Sequence, residues 1–251
     1  MQRRTERIEL IADRDMTDLP AHLPASFAAT RESLRTLACY VIAPARKART
    51  GRIGLRATGN GFGTPRFEDG TRITVSGDLL AIDPGDRIPI TTLRAAARFI
   101  DISLTSDPAV GTDLPPYAPD DDLMVDADAS RALGAWYTFA DRVLRDLAAT
   151  ETTISEPQLW PEHFDLAAQL DLDRGTKVNV GFSPGDHFCA KPYVYVGPHD
   201  TTQLADEFWN APFGALLGYD ELTSTTSPEH QARAFLAKGL DLLRTSSRPR
   251  R

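Results

Sequence analysis

Arg72-Ile73-Thr74-Val75-Ser76-Gly77-Asp78-Leu79-Leu80-Ala81-Ile82-Asp83 is the stretch on which the fold class turns. Two runs rich in aliphatic and β-branched side chains flank Gly77-Asp78, a connection short enough only for a tight turn between antiparallel neighbours. On its N-terminal side Ile53 and Leu55 alternate with polar residues, and turn residues recur at Gly59-Asn60-Gly61 and Asp69-Gly70. Further back, apolar residues from Ser26 to Arg49 (Phe27, Leu34, Leu37, Cys39, Tyr40, Val41) follow a helical period. Pro44 should kink or end that helix, and Gly51 suits its C-terminal cap. On the C-terminal side Thr91 is placed to cap a short helix, Thr92 to Ile100.

The order then repeats. Residues 103–125 hold five Pro and Gly positions and the run Asp120-Asp121-Asp122, the pattern of a linker and a solvated turn. Asp126 or Asp128 can cap a helix bearing Leu133, Trp136, Ala140, Val143, Leu144 and Leu147. Strands follow at Phe164 to Leu170, Val178 to Phe182 and Tyr193 to Val196. Ser227-Pro228 opens a closing helix with Phe235, Leu236, Leu240 and Leu243 as its stripe. Short strands with tight turns beside long helices predict an α+β class, with antiparallel sheets and flanking helices. The expected layout is an arm (1–24), a first α+β half (25–102), the linker (103–125), a second α+β half carrying the candidate site (126–245) and a basic tail (246–251). Gly61-Phe62-Gly63-Thr64-Pro65 beside Gly181-Phe182-Ser183-Pro184-Gly185 is what duplication of an α-β-β-β-α unit would leave, and also what coincidence would leave.

Composition excludes several classes. With 251 residues, 41% hydrophobic and 25% charged at a net charge of −7, the chain is neither disordered nor low-complexity. No apolar run approaches the ~20 residues of a membrane span. An acidic balance argues against nucleic acid, which demands a concentrated basic face. Basic clusters at Arg3-Arg4 and Arg248-Arg250-Arg251 read as solvated tails, and Arg46-Lys47-Arg49-Arg52 as a helix C-terminus. Two cysteines without close spacing give no disulfide framework or CxxC site; Cys39 reads as a core residue. No apolar leader follows Met1, so the expected location is the cytoplasm.

Three of the five histidines fall between Trp160 and Asp200, among acids and aromatics. On a strand His163 and Asp165 would share a face, where they can ligate one metal or act as a base and its orienter; a polar strand face would look the same. His187 and His199 sit in Gly/Pro-bounded turns. Pro184-Gly185 fits a type II turn that presents Ser183 and Asp186 at a pocket rim. It is not a nucleophile elbow, since strand and not helix follows. Trp160, Tyr193, Tyr195 and Trp209 combine apolar bodies with polar tips, as in small-molecule cavities. No phosphate-cradling or HExxH motif is present.

Trp160-Pro161-Glu162-His163-Phe164-Asp165, Gly181-Phe182-Ser183-Pro184-Gly185-Asp186 and Pro192-Tyr193-Val194-Tyr195-Val196-Gly197-Pro198, with Phe208-Trp209-Asn210-Ala211, resemble an uncharacterised bacterial protein family with WPxHFD, GxSPGD and PYxYVGP motifs. Residues 50–56 and 61–65 share the resemblance, which implies a common fold and no particular reaction. In that family an acidic residue usually precedes the Pro-Tyr pair, where this chain has Lys191. Small-molecule binding is the first expectation, with Trp160, His163, Asp165, Ser183, Asp186, Tyr193, Tyr195 and Trp209 as ligand contacts. The alternatives are a metal-assisted hydrolase, holding a divalent metal on His163, Asp165 and His187 or His199 with Asp186 as base, and a structural or partner-binding protein with an apolar patch along residues 208–217.

Overall fold

The computed structural model describes residues 19–172, 175–202 and 204–246; the first eighteen residues of the expected arm and the tail beyond 246 lie outside them. Helix α1 (Phe27–Leu37) buries Phe27, Thr30, Arg31, Leu34 and Leu37. It continues through a π-helical turn, Ala38–Ile42, into α2 (Ala43–Thr50), which has Pro44 in its first turn. Pro44 has no N–H for the Tyr40 carbonyl and its ring crowds that carbonyl. One wide turn ahead of it lets the helix continue where a regular α-helix would break. Gly51 ends α2 at φ +70°, the left-handed cap expected of it.

The first sheet is an antiparallel meander of β1 (Arg56–Thr58), β2 (Gly61–Gly63), β3 (Arg72–Ser76), β4 (Leu79–Asp83) and β5 (Arg87–Pro89) in chain order. The β3–β4 hairpin pairs Ser76 with Leu79 across the Gly77-Asp78 turn. Helix α3 (Leu93–Phe99) is capped one residue later than the sequence suggested: Thr92 Oγ1 accepts from Ala95 N at 3.1 Å. Thr91 is occupied otherwise, its carbonyl accepting from Leu123 N at 2.7 Å. The segment between α3 and the next helix has no helix or strand, yet it is tied down. Arg94 donates twice to Asp120 (2.5 and 2.7 Å), and Tyr40 Oη donates to Pro115 O at 2.6 Å.

Asp126 opens α4 (Ala127–Thr150), its Oδ1 accepting from Ala129 N at 2.9 Å. Residues 129, 132, 133, 136, 137, 140, 143 and 144 recur every three or four positions, so one face is apolar throughout and buried. That face lies across β1–β3 and also across β7 (Asp165–Asp171) and β8 (Lys177–Ser183) of the second sheet. Trp136 and Phe139 pack on Phe182, and Tyr137 packs edge-on against Phe62 and Phe164. Each such ring contributes about 1.5–3 kcal/mol by burial. A single cluster of buried apolar residues draws on both halves.

The second sheet adds β6 (Gln158–Trp160), β9 (Tyr193–Pro198) and β10 (Ala215–Gly218), again in simple order β6 to β10. Helices α5 (Tyr219–Thr223) and α6 (Pro228–Ser246) close the chain. The two meanders meet through one bridge, where Leu55 and Leu159 exchange backbone hydrogen bonds of 2.7 and 2.9 Å. The class is α+β, with two five-stranded antiparallel sheets flanked by helices. Among the described residues no helix is long and apolar enough to cross a membrane.

Candidate functional site

Side chains of the second sheet divide by parity. Leu166 and Leu170, Val178, Val180 and Phe182, then Val194 and Val196 are buried under α4 and α6. Asp165, Asn179, Ser183, Tyr193 and Tyr195 line the other face, the floor of a cleft of about 1000 Å³. Its walls come from α1 (Arg31, Glu32, Arg35), from the loop after β8 and from Pro212 and Phe213 before β10. A second cavity of about 570 Å³ adjoins it beside Trp160 and Gln169, and shares Glu162, His163, Asp165, Asn179 and Tyr195 with the first.

The turn into β7 departs from the expected strand. Phe164 has φ +56°, a left-handed value that costs a non-glycine residue about 1–2 kcal/mol. Its ring is held between Phe62 (5.1 Å) and Tyr137 (5.7 Å), and its carbonyl accepts from Tyr137 Oη at 2.6 Å. The strand therefore begins at Asp165, so His163 and Asp165 do not share a strand face. His163 is exposed in the turn and Asp165 is only 8% exposed, yet both border the two cavities.

Two tyrosine–aspartate pairs organise the floor. Tyr195 Oη donates to Asp165 Oδ2, reaching across β8 to do so. It can because Gly181 lies between them: a Cβ there would fall 2.6 Å from the phenolic oxygen. Tyr193 Oη donates to Asp186 Oδ2 at 2.6 Å, while Asp186 Oδ1 accepts from Phe188 N (2.7 Å) and Cys189 N (2.9 Å). Rings of Tyr193, Tyr195 and Phe188 all lie within 5.3–6.3 Å of Phe213, centroid to centroid. Ser183 is a turn acceptor, its Oγ taking the Gly185 N–H at 3.1 Å; Gly185 has φ +98°, the positive value expected there.

Asp165 Oδ1 is buried without a hydrogen-bond partner. Burial pushes this carboxyl above the usual aspartate range; the Tyr195 hydrogen bond and His163 pull it down by less, and Asp186 adds to the rise. Burial, then Asp165, pushes the Tyr195 phenol well up; burial, then Asp186, raises Tyr193. A carboxyl raised on folding binds its proton more tightly in the folded chain. Stability is therefore lost as pH rises from the ordinary value of about 3.9 through the folded one. Asp165→Asn should raise the melting temperature at pH 7.5, by about 2–4 °C for each kcal/mol relieved. The gain should shrink as pH falls to 4.5, and a constant gain across that range would refute the buried-charge account.

The cleft gathers His163, Asp165, Ser183, Asp186, Tyr193 and Tyr195, together with His187 and His199 at its rim. Trp160, 39% exposed, borders only the smaller cavity. Trp209 lies outside both, edge-on to Phe208 at 5.0 Å. Lys191 is turned to Asp220, 2.6 Å away. Cys39 donates to Pro161 O at 3.1 Å, and burial pushes its thiol up to about 12, as befits an inert core residue. Among the described residues no group of three or more His, Cys, Asp or Glu side chains is placed to hold a metal ion.

A comparison with family models, curated proteins and solved structures finds no match. The site must speak through its own geometry. Sequence reading missed Arg31, Glu32 and Arg35, which reach the cleft from the other half of the chain. One signal was available: Arg31 stands among Phe27, Leu34 and Leu37 on the apolar stripe of α1, where a charge needs a partner.

Proposed function

We propose that the protein binds a small organic molecule in the cleft over the second sheet. One observation carries the reading: a buried carboxylate with an unpartnered oxygen stands in the floor of a cavity of about 1000 Å³ that the rings of Tyr193, Phe188 and Phe213 also line. Small-molecule sites commonly fall at ~300–1000 Å³ and combine apolar walls with a few polar groups. An unsatisfied buried oxygen costs about 1–3 kcal/mol, which a ligand donor would offset.

The partner-binding alternative has less to stand on. Along residues 208–217 the rings are half-buried, Phe208 against Phe235 and Phe213 in the cleft. The exposed large apolar side chains among the described residues are Met124, Trp160 and Phe188.

A thermal-shift screen of small metabolites tests the proposal. A ligand at a hundred times its Kd adds about 2.7 kcal/mol, a rise of about 5–10 °C for a chain of this size. The rise should vanish in Phe213→Ala and persist in Trp209→Ala. Hits indifferent to Phe213, or no hits across a broad library, would defeat it.

A further inference from the structure

We infer that the cleft takes an organic ammonium, its charge set against Asp165 and its apolar body against the rings of Tyr193, Phe188 and Phe213. The inference rests on the cleft being a ligand site and names the class of ligand.

Charged groups of the lining differ in what the protein already sets against them. The lining holds three more carboxylates than guanidinium groups. Both guanidinium groups are taken up by the protein. Arg31 donates to Ala190 O (3.0 Å) and to Glu32 Oε1 (3.0 Å). Arg35 donates to Glu162 O (2.7 Å) and to Asp113 O (2.5 Å), and pairs with Asp113 Oδ2 at 3.3 Å. A site meant for a carboxylate or phosphate would hold such forks open for bidentate contact. Here their donors are turned to carbonyls and carboxylates of the chain itself.

Glu32 and Asp113 are the partners of those arginines, and the other three acids meet neutral donors. Glu162 is met by the backbone N–H groups of Thr112 and Asp113, both at 2.7 Å. Asp186 receives two backbone N–H groups and the Tyr193 hydroxyl. Asp165 receives the Tyr195 hydroxyl alone, on one oxygen. Among the described residues, Asp165 and Asp186 thus have neutral donors and no Lys, Arg or His nitrogen within ion-pair distance. A buried carboxylate in that state favours a positive charge brought to it. Aromatic faces add to the same preference, since their quadrupole attracts cations within about 6 Å of the ring.

Matched ligand sets test this on the full chain. Each set has one body (hexyl, phenylethyl or indolylethyl) carrying an amine, an alcohol or a carboxylate, and binding is read by saturation-transfer NMR with titration. The expected order in at least one set is amine first, the alcohol about tenfold weaker or more, and the carboxylate last. In Asp165→Asn the advantage of amine over alcohol should collapse to less than about threefold. The ranking in the unsubstituted protein stands even if that variant folds poorly.

A carboxylate that binds as well as its amine overturns the inference and leaves the cleft a ligand site. An amine preference undiminished in well-folded Asp165→Asn also overturns it. Silence from all nine compounds counts against the ammonium class, while the broader metabolite screen judges the cleft separately.

Discussion

Gly134→Ala is expected to destabilise the protein by about 3 kcal/mol, although alanine is by itself the better helix former by roughly 1 kcal/mol. Gly134 lies in the N-terminal third of α4, where the helix rests on the β1–β2 turn. A Cβ there would stand 2.6 Å from the Asn60 carbonyl carbon, 2.7 Å from its oxygen and 2.8 Å from Gly61 N. Backbone faces backbone at this contact, so no side chain can rotate out of the way. Thr138 reinforces the approach, its Oγ1 bonding Gly59 O at 3.0 Å. Relief would require α4 to lift from the first sheet and disturb the Tyr137–Phe62 and Tyr137–Phe164 packing below it. Urea denaturation checks this against Gly218→Ala, where the added methyl meets nothing within 4 Å. The control should stay within about 0.5–1 kcal/mol of the unsubstituted protein. Equal stability of the two variants would mean that α4 does not sit this close.

Tyr195→Phe should have the next largest effect, a loss of about 1.5–3 kcal/mol at neutral pH. It removes the single hydrogen bond that Asp165 receives from a side chain and leaves both carboxylate oxygens without one. That bond favours the ionised acid, so its loss pushes the Asp165 carboxyl further up. The penalty should therefore be full at pH 7.5 and shrink as pH falls and Asp165 takes its proton. In an Asp165→Asn background the same change should cost less, because a neutral amide bears burial better than a carboxylate. A double-mutant cycle from denaturation curves at two pH values isolates the pair. Additive effects of the two substitutions, independent of pH, would show that the phenol and the carboxyl do not interact.

Much of the architecture is legible in the sequence, because it is written in local periodicity. The 72–83 hairpin, the Asp126 cap, the stripe on α4 and the Gly51 terminus each depend on residues a few positions apart. What escaped reading was set by contacts distant in the chain. β2 is Gly-Phe-Gly and looks like a turn, and becomes a strand through its partner β3. Phe164 breaks the alternation of its strand because two rings far away, Phe62 and Tyr137, hold it in the left-handed region. The candidate site divides likewise. The Trp160–Asp200 stretch announced its acids, histidines and tyrosines, whereas Arg31, Arg35 and Phe213 join them only through the fold. That His163 is exposed while Asp165 two residues on is buried follows from the Phe164 turn, which no local pattern foretells.

Strand pairing confined to chain neighbours has a consequence for how the molecule assembles. Closing a loop costs entropy that grows with the logarithm of its length, so hairpins between consecutive strands are the least costly long-lived contacts a chain can make. Among the described residues the strands of both meanders pair only with their chain neighbours, and the Leu55–Leu159 bridge joins the two sheets. Each sheet can therefore form from its own segment without waiting for the other. Distant encounters include the docking of α4 onto both sheets and of α1 against α4, which carries Arg31 and Arg35 to Ala190 and Glu162. The cleft, floored by one sheet and walled by α1, exists only where segments from both halves of the chain have met, so a ligand bound there reports on both halves at once.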